Sequence, residues 1–272
     1  MKLAIITDME GVAGIQNFED WTEPGGRYYE QGKAFLTGEC NAAIDGFFWA
    51  GADEIVVIDG HGAGGIDPWL LDERAKLSRG WGVYHQFGLN DGFGAVAWVG
   101  QHAKSGALRA HMAHTGSCDV LDLKLNGVSM GEFGQLAAIA GFYGVPAIFG
   151  SGDQAFKEEA AALAPWMHTV AVKRGVNLTD GAQCSAEAYG RHTLGATHIH
   201  PKRARERIRE GARQALEEFL QHKANFPPLR LEPPYICETW YRKTFLKPHR
   251  ETRRHDSDLV AMYNVESAPP TE

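Results

Sequence analysis

The chain has 272 residues, 44% hydrophobic and 22% charged, enough to bury a sizeable core and too apolar for wholesale disorder. Glycine is abundant (32 residues) without a Gly-X-Y period, which excludes collagen and points to glycine-rich loops between short elements. Lys and Arg total 27 against 34 Asp and Glu, a formal charge of −7, so neither nucleic acid nor an anionic membrane is the expected partner.

Residues 3–7 (Leu-Ala-Ile-Ile-Thr) form a short apolar run, the pattern of a strand buried on both faces. Charges at Lys2, Asp8 and Glu10 leave no room for a secretory signal, and no stretch approaches the roughly 20 apolar residues of a membrane span. Residues 21–28 read as loop. Residues 29–50 have helical spacing, with Gly51 as the stop. Residues 54–59 and 94–99 are two more buried strands. Residues 120–125 alternate and run into Asn126-Gly127, a hairpin signal that warns of a local antiparallel element. Residues 132–142 and 154–164 are helical, and 145–149 and 170–173 are short strands. The clearest amphipathic helix spans 203–222, with Ala204, Ile208, Ala212, Leu216 and Phe219 on one stripe. After Phe226-Pro227-Pro228 the composition shifts to short β-like runs and a basic cluster. Strands alternating with helices predict an α/β fold with a mostly parallel central sheet flanked by helices. The four cysteines, Cys40, Cys118, Cys184 and Cys237, lie far apart and form no Cys-x-x-Cys pair. A reduced, soluble, cytoplasmic protein is expected.

In open α/β sheets ligands bind beyond the carboxyl ends of the strands. There the sequence places Asp8 and Glu10 after the first strand, Asp59 and His61 after the second, and Gln101 and His102 after the third. Each taken singly is an ordinary turn or loop residue. Together, carboxylates and imidazoles at one sheet edge suit zinc, manganese or cobalt. Ser129-x-x-Glu132 matches a capping box, so Glu132 is either a helix cap or a ligand presented at a helix start. His111 and His114 are each an acid/base group or a surface histidine. His198 and His200, just before Pro201, read as structural. Residues 60–65 satisfy Gly-x-Gly-x-x-Gly and allow an NAD-dependent oxidoreductase, but Ile66-Asp67-Pro68 stands where a helix should open. The basic stretch 242–254 is a solvated surface or the lining of a site for an anionic group, and residues 79–98 are unusually rich in Trp and Gly.

Asp8-Met9-Glu10-Gly11 resembles the signature of the D-aminopeptidase family of binuclear zinc metallopeptidases. The likeness continues through Asp59-Gly60-His61, Gly100-Gln101-His102-Ala103, Ala113-His114, Gly131-Glu132-Phe133-Gly134, Val145-Pro146-Ala147-Ile148 and Gly150-Ser151-Gly152-Asp153, in order over about residues 1–175. The resemblance implies two divalent metal ions, expected to be zinc. Asp8 would bridge them, Glu10 and His61 would complete one site, and His102 and Glu132 the other. His114 would be the catalytic histidine, and Asp59 is a candidate to orient a ligand ring. It further implies a catalytic α/β core over 1–175 and a smaller C-terminal α+β portion over 176–272. The expected activity is removal of N-terminal residues from short peptides, D-amino-acid peptides or amides by a ring-like homo-oligomer. A non-catalytic metal-binding assembly protein is the remaining alternative.

Overall fold

The computed structural model describes residues 1–80, 87–243 and 249–265. The Trp- and Gly-rich and basic stretches therefore lie partly outside the described residues. Six strands of the main sheet run in parallel: β1 (Lys2–Thr7), β2 (Glu54–Asp59), β3 (Lys76–Ser78), β4 (Ala95–Gln101), β7 (Ala147–Asp153) and β8 (His168–Gly175). The short β9 (Ala196–His198) adds to β8 antiparallel, giving the order β3-β2-β1-β4-β7-β8-β9.

β1 shows why its sequence is apolar throughout. Leu3 and Ile5 enter one core, and Ala4 and Ile6 enter the other, because successive side chains leave a strand on opposite faces. The first face is covered by two long helices, α2 (Tyr29–Trp49) and α6 (Pro201–Gln221). The expected stripe of α6 is buried there, and each such Leu, Ile or Phe contributes about 1.5–3 kcal/mol. α6 begins as its sequence suggests: Pro201 is in the first turn and the His200 side chain accepts from Lys202 N–H.

The second face is covered by α3 (Glu132–Phe142) and a four-stranded antiparallel sheet, ordered β11-β10-β5-β6. Its strands are β5 (Val120–Leu125), β6 (Val128–Ser129), β10 (Tyr235–Tyr241) and β11 (Arg250–His255). Asn126 and Gly127 both have positive φ (49° and 80°), as the predicted two-residue hairpin between β5 and β6 requires. The longer partner of β5 is β10, with Cys237 opposite Leu125. Trp98 from β4 is fully buried between the two layers, its ring 4.9 Å from that of Phe133 in an edge-on contact.

Among the described residues the remaining helices are short or peripheral: α1 (Phe18–Trp21), α4 (Gln154–Leu163), α5 (Ala186–His192), α7 (Leu259–Asn264) and a single 3-10 turn at Lys223–Asn225. Among the described residues no helix is long and apolar enough to cross a membrane.

Candidate metal centre

The strand order reverses beside β1: β2 and β3 lie on one side of it, and β4 and β7 on the other. A crevice opens at the carboxyl ends where such a sheet changes direction. Asp8, Glu10, His61 and His102 all follow strands that end on this edge. The backbone approaches so closely that a Cβ on Gly100 would lie 2.0 Å from the Asp8 carbonyl oxygen, and Gly100 has φ of +79°. Asp8 N–H donates to Val99 O (2.9 Å), and Gly11 N–H to Gly100 O (2.7 Å). Glycine at this crossing lets the β1 and β4 loops share one floor.

Two groups of side chains meet there. Asp8, Glu10 and His61 form one; His102, His114 and Glu132 form the other, and within each the donor atoms lie within 4.8 Å of one another. Asp8 joins the two, its Oδ2 being 3.2 Å from His102 Nε2. Glu10 Oε1 is 3.4 Å from His61 Nε2, and Glu132 Oε1 is 3.6 Å from His102 Nε2 and 3.7 Å from His114 Nε2. The fold thus brings Asp8, Glu10, His61, His102, His114 and Glu132 together.

The donor chemistry fits divalent cations. His102 Nδ1 donates to Ala103 O (2.9 Å), leaving Nε2 with a lone pair directed at the carboxylates. That Nε2, Glu10 Oε2 and His61 Nδ1 are buried and make no hydrogen bond. Oxygen and nitrogen ligands about 2.0–2.2 Å from a common ion lie at most about 4.4 Å apart, so each group needs only a small adjustment to hold one.

The proton affinities point the same way. Burial and the neighbouring Glu10 raise Asp8 to about 7. Burial would also raise Glu10 and Glu132, but His61 and His102 override it; Glu10 lies well below the usual carboxylate range and Glu132 falls to about 2. Burial would lower His61 and His102, yet the carboxylates lift His61 to about 9 and His102 well above the ordinary histidine value. Two buried carboxylates and the half-buried Glu132 thus recruit positive charge onto the imidazoles, which is the charge two bound cations would supply.

His114 differs from its neighbours. Its Nδ1 donates to Met112 O (3.0 Å), and its ring stacks on His102 at 4.1 Å and 11°. Burial and the adjacent His102 lower its proton affinity. It lines the cleft, whereas His111 is turned away, its Nε2 3.2 Å from Gln16 O, and burial keeps it neutral, down to about 2. Glu132 does not form the capping box. Gly131 is the N-cap of α3 without a side-chain bond, Ser129 donates to Asp122, and Glu132 Oε1 instead accepts from Gly116 N–H at 2.7 Å.

Asp59 orients a loop and not a ring. Its carboxylate accepts from Gly65 and Ile66 N–H, and Arg79 reaches the His61 and Gly62 carbonyls. No helix opens after residue 65, and two backbone donors that a pyrophosphate would need are taken by Asp59. The dinucleotide reading of residues 60–65 fails on that geometry. His198, as expected, is structural: its Nδ1 accepts from Gly14 N–H.

Sequence reasoning missed the residues beneath the ligands. Lys173, 4% exposed at the end of β8, donates to the Glu10 and Ile15 carbonyl oxygens. Glu39 of α2 accepts from Ala13 N–H at 2.9 Å, and Gln101 Nε2 donates to Asp8 Oδ2 at 3.2 Å. A lysine directly after the apolar run Val170-Ala171-Val172 was the available signal for Lys173. Arg242, read within an exposed basic stretch, is also buried. It donates to Cys118 O and Gly181 O and lies 3.6 Å above the Tyr189 ring.

A mostly parallel sheet carrying carboxylates and imidazoles at its reversal point defines an α/β protein with a candidate metal centre in its main crevice. A family description, D-aminopeptidase, matches residues 1–246, and the chain belongs to that peptidase family. It is 32% identical to a D-aminopeptidase of Bacillus subtilis (strain 168) over 180 residues, which is 65% of this chain and 65% of that protein. The solved structure of a Zn-dependent D-aminopeptidase from Bacillus subtilis, described as a self-compartmentalizing protease, shares the fold with a TM-score of 0.82. That match covers 97% of this chain and 94% of the other at 24% identity.

Proposed function

We propose that the protein is a metal-dependent aminopeptidase that removes the N-terminal residue of short peptides or amino-acid amides, with two zinc ions at the crevice floor. The observation that carries this reading is Asp8. Its carboxylate belongs to the Glu10/His61 group and also stands 3.2 Å from His102 of the other group. Asp8 would hold both ions, Glu10 and His61 one of them, and His102 and Glu132 the other. When bound, the ions supply Lewis acidity that polarises the scissile carbonyl and lowers the proton affinity of the attacking water.

The chain's own residues do the rest. The carboxylates at the floor are taken up by the ions, so the substrate's free amino end would meet the metal centre as the neutral amine, which sets an exopeptidase register. His114 presents Nε2 to the cleft because Met112 O holds its Nδ1. As imidazolium it would hydrogen-bond the developing oxyanion or protonate the leaving amine. The buried His102 ring behind it excludes water on one side. Both named relatives are D-aminopeptidases, so D-amino-acid peptides are the proposed substrates. By the same comparison we propose a homo-oligomer that encloses its sites, and cytoplasmic residence accords with four unpaired cysteines.

The test is elemental analysis together with hydrolysis of dipeptides of both hands. Two equivalents of metal per chain are expected, with activity lost to a chelator and restored by zinc. Full activity in protein shown to be metal-free, or a metal-loaded enzyme inert on every peptide, overturns the reading.

A further inference from the structure

The crevice is larger than the metal centre needs. It encloses about 1290 Å³ and extends from Asp8, Glu10, His61 and Glu132 to the inner face of the small sheet. That far wall is mostly apolar, built from Val120, Leu123 and Cys237 of the sheet beside Leu136 of α3. One charge interrupts it. Arg253 pairs with Cys237 across β10 and β11, so its side chain leaves the sheet on the same face as Cys237 and Leu125, toward the core. Its neighbours in β11 behave differently: Arg250 and Arg254 are ion-paired with Glu238 and Asp256. Arg253 has no ion pair or side-chain hydrogen bond among the described residues, and its Nε is buried without a partner. The other arginine of the cavity, Arg191, is paired with Glu187.

A guanidinium that is partly desolvated and unpartnered is an unsatisfied site for an anion, and its planar fork suits a carboxylate. The rest of the cavity supplies acidic groups and apolar surface. Resting on the aminopeptidase reading, we propose that Arg253 is a specificity-determining residue that binds a carboxylate on the leaving side of the substrate, the free C-terminus of a short peptide. The amino end then lies at the floor, Arg253 holds the opposite end, and the apolar wall between them takes the leaving residue's side chain. The enzyme so built prefers unblocked short peptides to their C-terminal amides.

The test compares alanylalanine, of whichever hand is cleaved, with alanylalanine amide. The wild-type enzyme is expected to favour the acid about 10- to 100-fold in kcat/KM, the scale of one hydrogen bond to a charged group, chiefly through KM. Arg253→Met keeps the apolar stem and should abolish the preference, lowering the acid and leaving the amide within about threefold. Arg253→Lys should restore part of it. Alanyl-aspartic acid α-amide separates the two sources of a carboxylate, and recovery with that peptide would show a side-chain preference and overturn the C-terminal assignment. Equal kcat/KM on acid and amide in the wild type, or an unchanged preference in Arg253→Met with an unchanged Tm, overturns the proposal. Calorimetric binding of both peptides to zinc-loaded His114→Ala protein gives the affinity ratio without turnover. Failure of the wild type to cleave either peptide thus counts against the aminopeptidase reading, while a ratio of one counts against Arg253.

Discussion

The two walls of the crevice are built on opposite plans. The floor is the ragged edge of a parallel sheet, where each chain segment is pinned by a distant buried group. Lys173 takes the Glu10 carbonyl, Glu39 the Ala13 N–H, and Asp59 the start of residues 65–66. The far wall is the smooth inner face of an antiparallel sheet, apolar except for a few side chains such as Thr239, Tyr241 and Arg253. Chemistry needs donor atoms fixed to a fraction of an ångström, so the floor is densely tied. Selection among substrates needs shape and one or two charges, and an apolar sheet face can vary in these without disturbing the floor.

The sharpest way to break the floor is Asp8→Asn. A neutral amide cannot offset two dications, so both ions should be lost or poorly held, and turnover should fall to background with the fold intact. Two metals at wild-type affinity would show that Asp8 is not shared. Glu132→Gln should empty mainly the His102 site and remove most activity; its amide oxygen can still accept from Gly116 N–H, so Tm should move little. A fully metallated, active Glu132→Gln enzyme would return Glu132 to a purely structural role. His114→Ala should keep both metals while turnover drops roughly 10²–10⁴-fold. His111→Ala provides the contrast: it should cost stability and leave turnover within about tenfold, because its ring packs on residue 16 and not on the cleft.

The smallest expected effect concerns the ties beneath the floor. Burial raises Glu39 from an ordinary 4.5 to about 7, against the opposing pull of Ala13 N–H and Lys173. A carboxyl raised in the folded state favours folding in its protonated form. Its contribution is complete below pH 4.5 and is lost as pH rises through 7, a change of about 3 kcal/mol at most. Glu39→Gln mimics the protonated form, so it should melt higher than wild type at pH 8–9 and equal to it near pH 5. A pH-independent difference in Tm would show that Glu39 does not titrate in this way.

The floor was legible in the sequence and the far wall was not, for physical reasons. Parallel strands buried on both faces read as unbroken apolar runs, and β1, β2 and β4 announce themselves. Their ends then carry the polar residues, so the ligands follow by position. β7 was read too short because Gly150, Ser151 and Gly152, which look like loop, continue the strand beside β4. α5 and β9 are brief and weakly patterned. The Asn126-Gly127 turn was correct, yet its hairpin partner β6 has two residues, while the main partner of β5 lies 110 residues away in β10. No local pattern encodes such a pairing. Arg253 was hidden for the same reason, since its inward direction exists only once β11 has found β10.

That long-range pairing sets the order in which the enzyme can come into being during synthesis. The ligand-bearing loops, α2 and α3 all precede residue 143, and β7 and β8 follow by residue 175. β5 waits with its neighbour's place vacant until residues 235–241 leave the ribosome. The residues of the floor are therefore made well before those of the opposite wall, with α6, which covers the first face of the main sheet, in between. On this account the candidate ligands are all made early in translation, and Arg253 arrives with the last strands.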